Sequence, residues 1–295
     1  MKKKKRFSLG QTLLHLVFIC ICVCYLIPFL YMISISLSSQ EELIVNGYHM
    51  FPQRITFDNF RLALNQPTQI LQAYLITFLS ASVGTALSVL VMGVMAYPLS
   101  RPNYRWRNPI TFIVFFTMLF SGGLVPSYIL NVKYLHLGNS FWVYVMPSLV
   151  NAWHIIIIRT NYRQLPDSMI EATKIDGASE IRICLQFVMP LSLPAIATVA
   201  FLLFVNRWND WMTSMIYIRK QSLYTLQYLL QRVLQDAEYM RQLAENGDLG
   251  AADYVFPTEG FRFALAIIAA GPVLIVFPFF QKYFSRGLTV GAVKG

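Results

Sequence analysis

The side chains best suited to bind a polar ligand lie within otherwise apolar runs of the sequence. They are amides, a carboxylate, an imidazole and an indole, at Asn151, His154, Asn206, Trp208, Asn209 and Asp210. Amides and carboxylates hydrogen-bond hydroxyl groups, and aromatic rings stack on the C–H faces of sugars. Polar groups inside membrane spans are costly and often mark a transport path. These six residues are therefore candidates for a sugar path, with the group from Trp208 to Asp210 the strongest.

Structural interpretations of the same residues stay open. Trp208 also fits an interfacial aromatic belt, and His154 on an apolar helix fits a hydrogen-bonded packing residue. Arg207 and Asp210, three residues apart, fit a local ion pair.

The sequence carries no signature of catalysis or of ATP binding. It has no G-x-x-x-x-G-K-[ST] phosphate loop, no G-x-S-x-G elbow and no His, Asp and Glu cluster at metal-ligand spacing. On a helix, Cys20 and Cys24 would share a face while Cys22 points away, which is poor geometry for a metal site. We expect a chain that is not an enzyme and holds no metal or cofactor itself.

The elements that must position these residues are membrane helices. The 295 residues are 56% hydrophobic and 13% charged, with a net charge of +10 and a mean hydropathy of +0.51. Soluble domains have about 25% charged residues. The basic residues punctuate apolar runs rather than forming a face on a polar domain, so we expect no nucleic-acid partner. The composition predicts an all-α, multi-pass protein of the cell membrane.

Six stretches are long and apolar enough to cross the hydrocarbon, which takes roughly 20 residues. They predict helices near residues 12–36, 73–98, 109–131, 141–158, 191–213 and 262–281. The first is too long for a secretory signal and is expected to be retained. Gly122, Gly123 and Pro126 can break the third helix, either at a transport path or for close packing.

The positions of the basic residues predict the orientation. With both termini in the cytoplasm, the inside segments hold 15 of the 24 Lys and Arg and four of the 14 acidic residues. Excess Lys and Arg marks cytoplasmic loops. The predicted organisation is a basic cytoplasmic N-terminus (1–11), a six-helix domain (12–281) and a cytoplasmic tail (282–295). That domain includes external loops 37–72 and 214–261 and a cytoplasmic loop 159–190. Leucines at helical spacing within 222–246 predict a surface helix, or a docking site for an external protein.

The loop 159–190 is far more polar than its flanking spans. A helix should start after Pro166 and present Met169, Ala172, Thr173 and Ile175 on one face. Gly177 then allows a sharp turn. A second helix, 181–189, is closed by Pro190 before the fifth span. Two short helices joined by a glycine turn at the membrane surface would suit the docking of a partner.

This loop resembles the EAA loop of importer permeases in the ATP-binding-cassette superfamily. The matching residues are Glu171-Ala172-Thr173, Asp176-Gly177-Ala178, Met189-Pro190 and Pro194. Thr173 stands where the family has a second alanine, and Met189 where it usually has leucine. The resemblance covers almost the whole chain and is closest to the maltose-transporter-like carbohydrate permeases, in the group that handles complex oligosaccharides. It includes Trp208-Asn209-Asp210-Trp211 near the outer end of the fifth span.

The resemblance implies a type I importer fold and a set of partners. These are a second permease, in a heterodimer, two ATPase subunits that use ATP and Mg, an extracytoplasmic sugar-binding protein and membrane lipid. It also implies a coupling surface at Glu171, Ala172, Thr173, Asp176, Gly177, Ala178 and Pro190. In that surface Glu171 would contact the ATPase, Ala172 and Ala178 would pack closely, and Gly177 would form the turn.

Three other functions remain open at this level. A permease of the same superfamily for another solute would share these motifs. A stand-alone secondary transporter would need ionisable residues deep in the membrane, where His154 is the sole candidate. An integral-membrane enzyme would need a catalytic cluster that the sequence lacks.

Overall fold

The computed structural model describes residues 9–64, 67–245 and 259–292, and these residues are helical with irregular connections and no strand. They form two compact units, one of residues 1–67 and 232–270 and the other of residues 68–231 and 271–295. The predicted basic segment at residues 2–6 lies outside the described residues, as do residues 65–66 and 246–258 of the predicted external loops and residues 293–295 of the tail.

The first unit begins with a long apolar helix, α1 (Leu9–Ser36), followed by α2 (Gln40–Asn46) and α3 (Asp58–Ala63). The most apolar window of α1 is 0% buried, as expected for a helix that faces lipid or another subunit. The Asn59 amide donates hydrogen bonds to the carbonyl oxygens of Ser36 (3.0 Å) and Ser38 (2.9 Å). These bonds hold α3 against the end of α1.

The second unit is built on α4 (Pro67–Ser100), a 34-residue helix that includes the predicted second span. Its core brings α4 together with α7 (Ala152–Tyr162) and α11 (Leu193–Trp208). Buried residues at this junction include Met92, Ile155, Ile158, Tyr162 and Val199. The helices α4, α7 and α11 therefore form the scaffold from which the loop between α7 and α11 projects.

The third predicted span is broken. It consists of α5 (Arg107–Leu119) and α6 (Leu124–Ile129), and α6 continues as a π-helical turn (Leu130–Tyr134). The chain bends by 114° between the two parts, with extended backbone at Phe120 and a turn at Gly123. The break predicted at the Gly-Gly-x-x-Pro sequence is confirmed.

The fourth predicted span, residues 141–158, is wrong as a continuous helix. A 3₁₀ turn (Phe141–Tyr144) is followed by irregular chain to Asn151, where α7 begins. Pro147 has no backbone N–H to donate, and the Asn151 side chain accepts the N–H of His154 (3.2 Å), which caps a new helix. The hydropathy of the sequence indicates the apolar run, but it does not reveal the proline and the helix cap that interrupt the helix.

The fifth predicted span, 191–213, ends early. α9 (Glu180–Ile183) leads through a π-helical turn (Cys184–Val188) into α10 (Met189–Leu191), and α11 follows at 83°. The helix stops at Trp208, and α12 (Met212–Tyr217) starts after a short break. The predicted loop helix 181–189 is thus present, although its second half is π-helical.

The chain ends in two further helices, α13 (Leu226–Glu245) and α14 (Glu259–Ala292). The helix predicted within 222–246 is confirmed by α13, and its predicted external position stays a prediction. In the described part of the chain, three helices are long and apolar enough to cross a membrane, or five segments if each bent pair is one span. The six-span count and the orientation of the termini therefore stay predictions.

Candidate functional site

The loop between α7 and α11 starts with a well-defined helix, α8 (Asp167–Ile175). The turn that follows Ile175 is formed at Gly177, where φ is +76°. The N–H of Gly177 donates to the carbonyl of Lys174 (3.0 Å), and the N–H of Ala178 donates to the carbonyl of Thr173 (3.1 Å). This pair of bonds is the Schellman motif, which satisfies carbonyls at a helix end. The predicted helix and glycine turn are both confirmed.

The residues predicted to share one face of α8 do not share one environment. Ile170 and Thr173 are buried, whereas Met169 and Ala172 are exposed and Ile175 is 86% exposed. The Thr173 hydroxyl donates to the carbonyl of Ile170 (2.8 Å), so a threonine fits where the family has alanine. Ile170 packs into the core between α4 and α7. Ile175 follows Ile170 by five residues, so at 3.6 residues per turn it projects from a different side of the helix.

Charged side chains tie the loop to the end of α4. Lys174 Nζ lies 2.6 Å from Glu180 Oε1, and the Tyr97 hydroxyl donates to Glu180 Oε2 (2.6 Å). These two hydrogen bonds hold the pKa of the Glu180 carboxyl below its usual value, with Lys174 the larger cause. Arg101 Nη1 lies 3.3 Å from Asp167 Oδ1, at the start of α8. The start of α8 and the start of α9 are therefore both anchored at the end of α4.

Backbone contacts complete this anchor. Arg101 Nη2 donates to the carbonyl of Tyr162 (3.1 Å), and Arg159 Nε donates to the carbonyl of Leu99 (2.8 Å). Each arginine thus joins the last turn of α4 to the last two turns of α7. Because the end of α4 holds α7 as well as the loop, a displacement of α8 would be transmitted to the helix scaffold.

The predicted coupling residues separate into an outward and an inward group. The outward group is exposed and comprises Glu171, Ala172, Asp176, Gly177 and Pro190. Thr173 is buried, and Ala178 is half-buried against the core. A cavity of about 590 Å³ beside α8 is lined by charged and aromatic side chains, including Tyr97, Arg101, Asp167, Glu171, Lys174 and Glu180. Such a charged, rigid edge suits the binding of another protein.

The predicted path residues are not brought together on one wall. Asn206 and Asn209 are exposed on the last turn of α11, and Asp210 accepts the N–H of Thr213 (3.0 Å) with its carboxylate. Asn151 is exposed and caps α7, while His154 is half-buried one turn later. Asn151 and Asp210 have structural tasks at helix ends. Asn209 is exposed, but its amide donates to the Val205 carbonyl (2.9 Å) and its oxygen accepts from Gln227 (3.4 Å). Asn206 therefore retains the greatest freedom to meet a ligand.

Trp208 is a core residue in this structure. It is 1% exposed and packs against Phe204, Tyr74 and Ala81. A ring enclosed in this way is not accessible to a sugar in this conformation, because α4 covers the face of α11 that carries it. A place for Trp208 in the sugar path therefore stays a prediction.

Arg207 is the residue whose role the sequence did not reveal. It is buried, and its Nη2 donates to Ser88 Oγ (2.9 Å), to the Ser148 carbonyl (2.9 Å) and to Ser148 Oγ (3.0 Å). Asp210 caps its own helix instead of pairing with it. The guanidinium thus joins α11 to α4 and to the irregular segment before α7. Gly84 and Ser88, four residues apart on α4, are the small residues that could have signalled this contact.

The two ends of α4 carry different surfaces. Tyr97 and Arg101 hold the loop with α8, whereas the Thr77 hydroxyl accepts the N–H of Leu226 (2.9 Å). Ile76 packs against the cluster that contains Tyr144 and Ile218. About 20 helical residues at 1.5 Å each separate these contacts by roughly 30 Å, the thickness of the hydrocarbon core.

Comparison with known proteins identifies relatives that match nearly the whole chain. The family described as "binding-protein-dependent transport system inner membrane component" matches residues 73–290. Protein LplC of Bacillus subtilis (strain 168) is 36% identical over 92% of this chain and 90% of its own length. The polygalacturonan/rhamnogalacturonan transport system permease protein YtcP of the same organism is 34% identical, over 91% and 92%.

A solved structure has the same fold. One chain of a bacterial ABC transporter involved in the import of the acidic polysaccharide alginate aligns with a TM-score of 0.80 and 27% sequence identity. The alignment covers 95% of this chain and 100% of that chain. The fold described above is therefore that of an ABC importer permease.

Proposed function

Since the chain belongs to the family of inner membrane components of binding-protein-dependent transport systems, we propose that it is the permease subunit of an ATP-driven oligosaccharide importer. The relatives at 36% and 34% identity extend over nine-tenths of the chain, and one of them is named for polygalacturonan and rhamnogalacturonan transport. The alginate importer supports the same class of solute.

The observation that carries the proposal is the anchored helix α8. Its outward residues, Glu171, Ala172 and Asp176, are exposed, while Arg101, Lys174 and Glu180 fasten its underside to α4. A partner that moves this helix moves α4 and α7 with it. We assign the partner as a cytoplasmic ATPase subunit, whose closure on ATP switches the permease between two rigid arrangements.

The proposed topology has six spans with both termini in the cytoplasm. The bent pair α5 and α6 would be the third span, and α7 with the irregular segment before it the fourth. The loop that contains α8 would then be cytoplasmic, and the end of α4 near Thr77 extracytoplasmic. The roughly 30 Å between the two sets of α4 contacts is consistent with this placement.

The proposed assembly has two permeases, two ATPase subunits and an extracytoplasmic sugar-binding protein. This chain would be the non-catalytic half of a heterodimeric path and would bind no cofactor, with ATP and Mg used by the ATPase. Within the path, Asn206 and Asn209 are the retained candidates for sugar contact, because both are exposed at the end of α11.

The test is sugar-stimulated ATP hydrolysis by the whole complex in liposomes, after co-purification with the ATPase. Glu171→Lys and Gly177→Pro should abolish stimulation and uptake while leaving membrane insertion intact. Glu41→Lys is the matched charge reversal, since Glu41 is also exposed on a short helix but lies in the other unit. Normal uptake by both loop variants would refute the coupling role of α8.

A further inference from the structure

A second cavity lies at the end of α4 that is remote from α8. Its volume is about 320 Å³, and its lining includes Tyr128, Val132, His136, Asn139, Tyr217 and Arg219. Ile218, which lies between the lining residues Tyr217 and Arg219 in the chain, belongs to the buried cluster against which Ile76 of α4 packs, and this places the cavity near that part of α4. We call it the outer cleft, in keeping with the proposed topology. None of the six path residues predicted from the sequence lines it.

The outer cleft has a rigid frame. Asn139 adopts a left-handed conformation (φ 59°), and its N–H donates to the carbonyl of Tyr217 (3.0 Å). Its side-chain oxygen accepts the N–H groups of Arg219 (2.8 Å) and Lys220 (3.0 Å). His136 is also left-handed (φ 51°). Strained residues of this kind persist where the surrounding structure holds them and often mark binding sites.

An aromatic pair forms one wall. The rings of Tyr128 and Tyr217 are stacked, with centroids 5.8 Å apart and planes at 16°. The Asn131 amide donates to the Tyr217 hydroxyl (3.1 Å), which fixes that ring. Both tyrosines are half-buried, so part of each ring remains accessible to a ligand. Stacked, preoriented rings of this type suit the C–H face of a sugar.

The Arg219 guanidinium and the His136 imidazole of the outer cleft are not paired with acidic side chains in the described part of the chain. In the described part of the chain, the side chains of His136 and Arg219 form no ion pair or hydrogen bond. The acidic residues between positions 68 and 231 are Asp167, Glu171, Asp176, Glu180 and Asp210. The first four belong to the loop with α8, and Asp210 caps α12. The exposed Arg219 guanidinium, which lines the cleft together with the His136 imidazole, is therefore available to bind an external anion.

We propose that the outer cleft binds a uronate unit of a saccharide before it enters the membrane. This inference rests on the proposed function and names a charged subclass of its substrate. Arg219 would pair with the carboxylate, since a guanidinium matches carboxylate geometry with two parallel N–H donors. The sugar ring would pack on Tyr128, with His136 as a further polar contact.

The size of the cleft favours a saccharide over a protein partner. Small-molecule pockets begin at about 300 Å³, whereas a specific protein interface buries about 800 Å² on each side. A cavity of about 320 Å³ holds one or two sugar rings. An acidic side chain of a binding protein would use Arg219 but would leave the stacked tyrosines without a role.

The experiment measures binding to the complete permease–ATPase complex in nanodiscs, without the binding protein. The probes are trigalacturonate and its fully methyl-esterified form, which has the same rings and no charge. We expect the uronate to bind about tenfold more tightly than the ester, which corresponds to about 1.4 kcal/mol, because a hydrogen bond to a charged carboxylate is stronger than one to a neutral ester. The difference should shrink with added salt.

Three variants assign this preference to the cleft. Arg219→Gln should lower the affinity for the uronate to that for the ester, whereas Tyr128→Leu should weaken both probes equally. Arg54→Gln is the matched control, since Arg54 is exposed on the predicted external side and lies in the other unit. Its affinities should equal those of the unmodified complex.

Equal binding of the two probes, or unchanged binding in Arg219→Gln, would overturn the uronate site. A loss of affinity for the binding protein in Arg219→Gln, with saccharide affinity unchanged, would overturn it in favour of a protein contact. In each case, sugar-stimulated ATP hydrolysis and uptake of a neutral oligosaccharide still report on the proposed function separately. If sugar failed to stimulate ATP hydrolysis while uronate binding stayed intact, the proposed importer function would be contradicted and the uronate site in the outer cleft would not.

Discussion

Arg207 packs directly against the backbone of Gly84, so that a Cβ added at position 84 would lie 2.8 Å from Cζ of Arg207 and still closer to Nη1. The residues are far apart in sequence, on α11 and α4. The absent side chain at Gly84 therefore makes room for a buried guanidinium, which then reaches Ser88 and Ser148. A buried cation in a membrane protein is costly unless it is hydrogen-bonded, and this packing brings those partners within reach.

Gly84→Ala should lower the thermal stability of the purified protein. The added methyl forces the guanidinium away from Ser88 and Ser148, and overpacking of this kind typically costs about 1–3 kcal/mol. The measurement is the melting temperature in detergent. Gly271→Ala is the control, because nothing lies within 4 Å of a Cβ there.

A double substitution tests the cause. In an Arg207→Met background the guanidinium is absent. Gly84→Ala should then lower the free energy of unfolding much less than it does in the unmodified protein. A coupling of about 0.5–3 kcal/mol is expected for residues in direct contact. Additive effects of the two substitutions would show that the loss in Gly84→Ala does not come from Arg207.

Trp208→Ala should destabilise the protein rather than act only on transport. The indole is 1% exposed between α4 and α11, and removal of a buried large aromatic side chain costs about 3–5 kcal/mol. Unfolding temperature and yield measure this loss. Asn206→Ala, two residues earlier, should leave both almost unchanged because Asn206 is exposed and its side chain forms no hydrogen bond in the described structure. If Trp208→Ala melted normally but failed to transport, the sugar-path assignment of Trp208 would regain support.

Gly177→Val should impair coupling more than Gly177→Asn. The position has open space around it, so the backbone angle alone decides the effect. Asn enters the left-handed region readily, whereas a β-branched residue pays a penalty of about 1–2 kcal/mol. The readout is the ratio of sugar uptake to ATP hydrolysis. Gly47→Val, also at φ +76°, is the control in another loop and should keep the normal ratio. Equal uptake ratios in the two Gly177 variants would contradict the importance of this turn.

Tyr97→Phe should lower the stability of the protein at neutral pH and make that stability less dependent on acid. Tyr97 helps Lys174 to hold the pKa of Glu180 below its usual value. A carboxyl with a lowered pKa stabilises the fold at neutral pH, and this contribution is lost as pH falls through the folded-state pKa. Without the tyrosine hydroxyl that pKa rises towards its unfolded-state value, so the contribution at neutral pH is smaller, less of it is lost on acidification, and the two proteins should become similar in stability at low pH. Melting temperatures measured from neutral pH downwards test this.

Tyr104→Phe is the control for Tyr97→Phe, since Tyr104 lines the same cavity and its hydroxyl has no hydrogen bond in the described structure. Its acid profile should match that of the unmodified protein. If the acid profile of Tyr97→Phe also matched that of the unmodified protein, the hydrogen bond from Tyr97 would not contribute to the lowered pKa of Glu180, and Lys174 alone would be its cause.

Local signals in the sequence were sufficient for much of the fold. Long apolar runs predicted α1, α4 and α14, because a helix that spans lipid must satisfy its own backbone and present apolar side chains. The α8 helix and its turn were equally predictable, since Pro166 and Gly177 act through their own backbone angles. The family resemblance of the loop then pointed to the permease function.

Hydropathy failed where short-range capping interrupts an apolar run. Residues 141–158 are apolar enough to span, yet Pro147 and the Asn151 cap divide them. An average of hydropathy over a sequence window reflects the transfer free energies of the side chains and takes no account of backbone hydrogen bonds. For the same reason, the end of α11 at Trp208 was placed several residues too late.

The sequence by itself determined the all-α membrane character of this protein and the position of the loop that contains α8, because composition and local backbone preferences act within a few residues. Only the tertiary structure decided that Trp208 is enclosed, that Arg207 lies against Gly84, and that Arg219 forms no ion pair with another described residue. Each of these depends on residues that are distant in the chain and meet through helix packing. Their contacts follow from how α4 fits against α11 and the loops, which no local pattern records.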